Sequence, residues 1–143
     1  MMFRQVSETV FASPQIGIEA IAEAKALGIV RIINNRPEGE SDDQVPGPDI
    51  EAAARDAGID YVAIPVTHAG FSQAQVDAMI EALDGVDGPV LAYCRSGTRS
   101  TLLWALARAK AGDNPAVIAS KAAAAGYDVT PVRQLIEMFA AGS

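Results

Sequence analysis

The sequence predicts an α/β fold: a central, mostly parallel sheet of four to five strands, helices on both of its faces, and two extra helices at the C-terminal end. Three observations carry this. Short apolar runs rich in β-branched residues alternate with stretches of helical apolar spacing, the pattern of strand–helix–strand units. Leu27-Gly28-Ile29 and Ala57-Gly58-Ile59 repeat one helix-to-strand turn. After the run Val90–Tyr93, only helical patterns remain.

Residues 3–12 alternate loosely and hold one or two short strands. Ile18, Ile21, Ala22 and Lys25 fall at helical spacing, and the helix ends at Leu27-Gly28. The run from Ile29 to Ile33 is a buried strand. Residues 34–48 are polar and rich in Pro and Gly, so a loop. Pro48 opens a helix with Ile50, Ala53, Ala54 and Ala57 on one face, closed by Gly58. The run from Tyr61 to Val66 is the next strand, with Pro65 near its end. Ser72-Gln73-Ala74-Gln75 has capping-box form ahead of Val76, Met79, Ile80 and Leu83. Val90–Tyr93 is a strand, and a helix carrying Leu102, Leu103 and Leu106 starts at Thr98 or Arg99. Asn114-Pro115 and Thr130-Pro131 each read as a cap with proline in the first turn, opening the two last helices. No internal boundary interrupts the 143 residues, which form one domain, 1–143.

Half the residues are hydrophobic and 20% are charged, a globular balance. The net charge of -7 argues against nucleic acid or an anionic membrane surface as a partner. One cysteine and one histidine exclude an internal disulfide and a structural zinc site, and no metal or organic cofactor is called for. The N-terminus lacks the long apolar run of a signal peptide, and no stretch is long enough to span a membrane. A cytoplasmic protein of a reducing compartment is expected. The oligomeric state is open.

The chemistry is concentrated in Cys94-Arg95-Ser96-Gly97-Thr98-Arg99-Ser100, a loop between a strand and a helix. Its amides can point inward as a nest for an anion, and Gly97 permits the turn this requires. The helix beginning near Thr98 aims the positive end of its dipole at the same point. Arg99 can grip a tetrahedral oxyanion with two parallel N–H bonds. A cysteine in that field is expected as the thiolate, the form that attacks. A lone cysteine at a strand end is more often structural. Here two arginines, hydroxyls and a glycine surround it, company that does not suit a core position. Cys94 and Arg99 are therefore the catalytic candidates, with Arg95, Ser96, Gly97, Thr98 and Ser100 as the anion-binding set. Tyr93 and Trp104 read as core aromatics rather than cofactor contacts.

In a parallel sheet the strand C-termini share one edge, where ligands bind. Asn34-Asn35-Arg36-Pro37 follows one strand there and Thr67-His68 follows another, so Asn35, Arg36 and His68 are second-tier candidates. Arg36 can add a cation, or merely pair with Glu38 or Glu40. His68 can exchange a proton, or merely sit in solvent. The acidic run 38–43 reads as solvated and mobile.

Ile32-Ile33-Asn34-Asn35-Arg36-Pro37, Tyr61-Val62-Ala63-Ile64-Pro65-Val66 and Gly88-Pro89-Val90-Leu91-Ala92-Tyr93-Cys94-Arg95-Ser96-Gly97-Thr98-Arg99-Ser100 resemble, in that order, the phosphatase-like domain of the beta-lactamase-hydrolase-like family. The resemblance runs from about Val6 to Leu106. It implies a fold like that of dual-specificity tyrosine phosphatases, and a function described for members as either phosphatase or sulfurtransferase. A beta-lactamase activity is not implied, because one histidine cannot supply the metal ligands. Two departures stand out. Tyrosine phosphatases place five residues between Cys and Arg, whereas four separate Cys94 from Arg99, a rhodanese-like length that suits a persulfide sulfur better than a phosphate. Tyrosine phosphatases also carry an aspartate general acid on the loop after the preceding strand, whereas Pro65-Val66-Thr67-His68-Ala69-Gly70 has no carboxylate. These departures favour persulfide transfer through Cys94 onto a thiol or cyanide acceptor. The alternative is a phosphatase-type hydrolase acting on a small phosphoester or a phosphoprotein. A third reading is a non-catalytic anion-binding module.

Overall fold

The computed structural model describes residues 3–142. The chain order is β1 (Arg4–Ser7), β2 (Val10–Ser13), α1 (Ala20–Ala26), β3 (Arg31–Asn34), α2 (Gly47–Asp56), β4 (Asp60–Ala63), α3 (Gln73–Asp84), β5 (Val90–Tyr93), α4 (Thr98–Lys110), α5 (Pro115–Ala124), a 3-10 turn (Thr130–Val132) and α6 (Arg133–Ala141). The five strands form one sheet in the order β1-β2-β5-β3-β4, parallel except for the β1–β2 hairpin. This is the single α/β unit the alternation predicts.

The period of two along each strand divides the core into two layers. Ile32, Leu91 and Tyr93 pack with Ile16, Ile21, Ala24, Ile50 and Ala54, under α1 and α2. Ile33, Val90 and Ala92 pack with Val76, Met79, Leu103, Leu106, Ile118 and Ile136, under α3 to α6. All four residues of β5 are buried, as a central parallel strand covered on both faces requires.

Local signals explain most boundaries. The two echoed turns are the same motif: Gly28 and Ile29 donate backward to Lys25 and Ala24, as Gly58 and Ile59 do to Arg55 and Ala54. Ser72 and Gln75 close both halves of the capping box on α3. Asn114 accepts from the amides of Ala116 and Val117 at the start of α5.

Some expectations shift. Ile18 is 52% exposed and lies before α1, whose buried face is Ala20, Ile21 and Ala24. β4 ends at Ala63, short of Val66, although the Ile64 and Val66 amides still donate to the Asn34 and Asn35 carbonyls; Pro65, between them, falls on the free edge of the sheet, where no N–H is needed. Thr130 does not cap α6. Asp128 accepts from the Thr130 amide at 2.9 Å and from its hydroxyl, and the resulting 3-10 turn precedes the helix. Among the described residues no helix is long and apolar enough to cross a membrane.

Candidate active site

Strand order decides which loops meet. β5 lies between β2 and β3, so the segments after β2, β5 and β3 adjoin at the C-terminal edge, while β4 lies beyond β3. Cys94 leaves β5 directly, is fully buried, and donates its amide to the Ser13 carbonyl at the end of β2 (3.3 Å). The chain then turns back, and Gly97 donates its N–H to Cys94 Sγ at 3.1 Å. Gly97 has φ +92°, a left-handed conformation glycine adopts without a Cβ penalty. At least one loop amide therefore points at the sulfur, as an anion nest requires.

The rest of the loop is divided between the cradle and its outer rim. Ser96, Thr98 and Arg95 are exposed. The Ser96 and Thr98 hydroxyls bond to each other at 3.0 Å. The Thr98 amide donates to Ser96 Oγ at 3.3 Å. The amides of Arg99 and Ser100 lie in the first turn of α4, where no in-helix acceptor exists, at the positive end of the dipole. Ser100 is buried, and its hydroxyl has no hydrogen-bond partner. The Arg95 carbonyl accepts from the Gln15 amide at 3.2 Å, which fixes the loop to the segment after β2.

Arg99 is held by a residue that the sequence reading leaves in solvent. Its Nη1 donates to Glu40 Oε2 and to the Val66 carbonyl, both at 2.7 Å, and its Nη2 donates to Glu40 Oε1 at 2.8 Å. This occupies one edge of the guanidinium. The other edge, Nε–H with the second Nη2–H, keeps the geometry of a two-pronged oxyanion grip. The fork to Glu40 raises the Arg99 pKa, and the nearby Cys94 sulfur adds to that.

Arg36 stands behind the same carboxylate. Only 4% exposed, it donates from Nε to Glu40 Oε1 (2.9 Å), from Nη1 to Gln15 Oε1 (3.0 Å) and from Nη2 to Ser41 Oγ (3.1 Å). Its charge is thus turned toward Glu40, and the structure realises the pairing rather than the free cation. With two guanidiniums on it, foremost Arg99, Glu40 has its carboxyl pKa lowered to about 2. The expectation of a solvated acidic loop fails at Glu40, whose side chain is only 17% exposed. Glu38 accepts from the Gly47 amide, and Gln44 bonds both the Glu40 amide and the Pro37 carbonyl. Buried charges need partners, and that requirement folds the loop inward.

Neither Asn35 nor His68 makes a hydrogen bond to the sulfur. Asn35 ties strand ends together, donating its amide to the Tyr93 carbonyl (2.8 Å) and Nδ2 to the Ile64 carbonyl (2.9 Å). His68 is exposed, two residues past the Val66 carbonyl that Arg99 holds, and has no polar contact to Cys94 or Arg99. Among the described residues no group of three or more His, Cys, Asp or Glu side chains gathers as a metal site.

Two residues at the site escape sequence reasoning. Glu40 leaves one trace, its spacing of four from Arg36. Tyr127, whose hydroxyl reaches 3.5 Å from the Ser96 carbonyl, leaves none.

The comparisons with known proteins agree with this architecture. Residues 2–111 match the family model described as "Beta-lactamase hydrolase-like protein, phosphatase-like domain". A beta-lactamase hydrolase-like protein of Xylella fastidiosa is 37% identical over 107 residues, 74% of this chain and 25% of the relative. The chain thus corresponds to about a quarter of that relative's length. A crystal structure of a phosphatase candidate from Neisseria meningitidis superposes with a TM-score of 0.85 at 31% identity, covering 97% of this chain and 99% of the other. Pseudomonas aeruginosa TpbA, crystallised with phosphotyrosine, shares the fold at a TM-score of 0.68 and 15% identity, covering 99% of this chain and 89% of its own. The family model and the Neisseria structure both carry phosphatase-like descriptions, and neither supports the sulfurtransferase and rhodanese-like expectation, which is corrected accordingly. With more than two thirds of its residues inside the family match and a tyrosine-phosphatase-like fold around the cysteine loop, the chain belongs to the phosphatase-like domain family of the beta-lactamase-hydrolase-like proteins.

Proposed function

We propose that the chain hydrolyses a phosphomonoester through a Cys94 cysteinyl-phosphate. The carrying observation is one sulfur with an inward amide at 3.1 Å and an arginine beside it whose outer edge is clamped by Glu40. In the first step Cys94 Sγ attacks phosphorus, the P–O bond to the leaving alcohol breaks, and the alcohol oxygen takes a proton. In the second, water attacks phosphorus, the S–P bond breaks, and inorganic phosphate leaves. Charge on the phosphoryl oxygens is met by the free edge of Arg99 and the first-turn amides of α4, fixed donors of the kind that stabilise a transition state. Leaving-group protonation falls to His68 or to water, since the loop after β4 has no carboxylate. Substrates with acidic leaving groups, such as aryl phosphates, are therefore turned over best. A small phosphate ester and a phosphoprotein side chain both present the group this site accepts.

Turnover of p-nitrophenyl phosphate that disappears in Cys94→Ser, with one phosphoryl group trapped on the native thiol, is the expected result. An unreactive phosphoester, together with an extra sulfur on Cys94 after thiosulfate treatment, would overturn the reading.

A further inference from the structure

Tyr127 lies beyond the stretch matched by the family, on the turn after α5. Three features direct it at the cysteine loop. Gly126 at φ +92° and Tyr127 close α5 as a Schellman turn, their amides donating to the carbonyls of Ala123 (3.0 Å) and Ala122 (2.9 Å). Arg4 on β1 donates to the Ala125 carbonyl at 3.1 Å and ties this turn to the sheet. The Tyr127 hydroxyl then takes the space that a Cβ on Gly97 would fill, and reaches 3.5 Å from the Ser96 carbonyl.

The Ser96–Gly97 peptide connects this contact to the chemistry. A trans peptide points its C=O and N–H in opposite directions. Its carbonyl faces Tyr127 and its N–H faces Cys94 Sγ at 3.1 Å, so fixing one end fixes the other. Glycine at position 97 gives that peptide more rotational freedom than another residue would, and inside the loop the Cys94 sulfur ties its N–H end, so a contact on the carbonyl adds a second anchor. Within the loop, the Ser96 and Thr98 hydroxyls bond to each other and leave this carbonyl alone. Burial raises the Tyr127 phenol pKa, Arg4 opposes that, Cys94 adds to it, and the net shift is upward, so the hydroxyl keeps a proton to donate.

We infer that Tyr127 is a positioning residue, whose hydroxyl holds the Ser96–Gly97 peptide with its N–H turned into the anion cradle. The inference rests on the cysteine-phosphatase reading for its catalytic consequence, but not for its structural one. At 3.5 Å the contact is long for an O–H···O bond, and ring packing against Gly97 contributes beside it. The conservative variant separates the two.

The test uses the whole chain with a nitrogen-15 label, comparing native protein with Tyr127→Phe and Tyr127→Leu. The expected result for Tyr127→Phe is an unchanged melting temperature, a displaced Gly97 amide resonance, and iodoacetamide alkylation of Cys94 slower by roughly fivefold, the weight of one hydrogen bond. With p-nitrophenyl phosphate, kcat falls by a similar factor and KM changes less. Tyr127→Leu adds loss of packing and falls further. A Tyr127→Phe protein matching native in both the Gly97 resonance and the alkylation rate overturns the inference. So does slower alkylation with an undisturbed Gly97 resonance, which would route the effect elsewhere. Alkylation and the amide resonance need no turnover. If native protein hydrolyses no phosphoester while Gly97 still responds to Tyr127→Phe, the proposed function fails and the positioning role stands.

Discussion

Glu40 accepts from two guanidiniums with both carboxylate oxygens, and only 17% of its side chain is exposed. Glu40→Gln removes the charge and one of the two acceptors, releasing Arg99 from its fixed orientation. We expect kcat/KM on an aryl phosphate to fall about 10- to 100-fold, the scale of a misplaced catalytic group. A rise would instead show Glu40 competing with the substrate for Arg99. The pH dependence has a definite sign. The folded carboxyl titrates near 2, below the ordinary carboxylate value, so its stabilisation is present above about pH 4.5 and lost as pH falls toward 2. Melting temperatures of native and Glu40→Gln should differ at neutral pH and converge toward pH 2. A gap that persists at low pH would contradict the ionised pair. Ser100 gives the reverse case. Its buried hydroxyl has no partner, so Ser100→Ala should leave stability unchanged or slightly raised. If that hydroxyl serves the bound anion, turnover falls while the melting temperature holds.

The α4 helix and its entry turn make the cysteine loop a structural unit, and the helix ends are where element-level tests apply. Gly97→Ala places a Cβ against Tyr127 and the Ser13 backbone in a left-handed conformation, at a cost of about 1–2 kcal/mol for the backbone alone. Denaturant unfolding should register that loss, and alkylation of Cys94 should slow with it. At the other end of the helical layer, Asn114 caps α5 through two amides. Asn114→Ala should destabilise by about 1 kcal/mol with little effect on turnover, because α5 remains packed on α4 through Ile118 and Ala122. A large loss of activity there would mean that the start of α5 governs where Tyr127 sits.

For the whole molecule, β5 is the keystone. It pairs with β2 on one side and β3 on the other, its side chains feed both core layers, and its end delivers the cysteine. Leu91→Ala empties a fully buried position in the α1–α2 layer. A cost of about 3 kcal/mol is expected, lowering the melting temperature by roughly 10 °C. A shift under a few degrees would show that this layer repacks around the void.

The elements were legible in the sequence because their causes are local. The capping box at Ser72, the echoed turns at Gly28 and Gly58, the asparagine cap at 114 and the run Val90–Tyr93 each act within a few residues. The cysteine loop was legible for the same reason, since Cys94, Gly97 and Arg99 share one turn. The electrostatics around it was not. Glu40 meets Arg99 from 59 positions away, Tyr127 meets Ser96 from 31, and no periodicity spans such gaps. Arg36 carries both of its sequence readings, cation and ion-pair partner, until strand order sets β3 beside β5 and the surrounding burial demands a counter-charge. Short-range propensity determined which segments are helix or strand and where a nucleophile could stand. Only the folded chain decided which charges face it, because pairing buried charges is a long-range constraint.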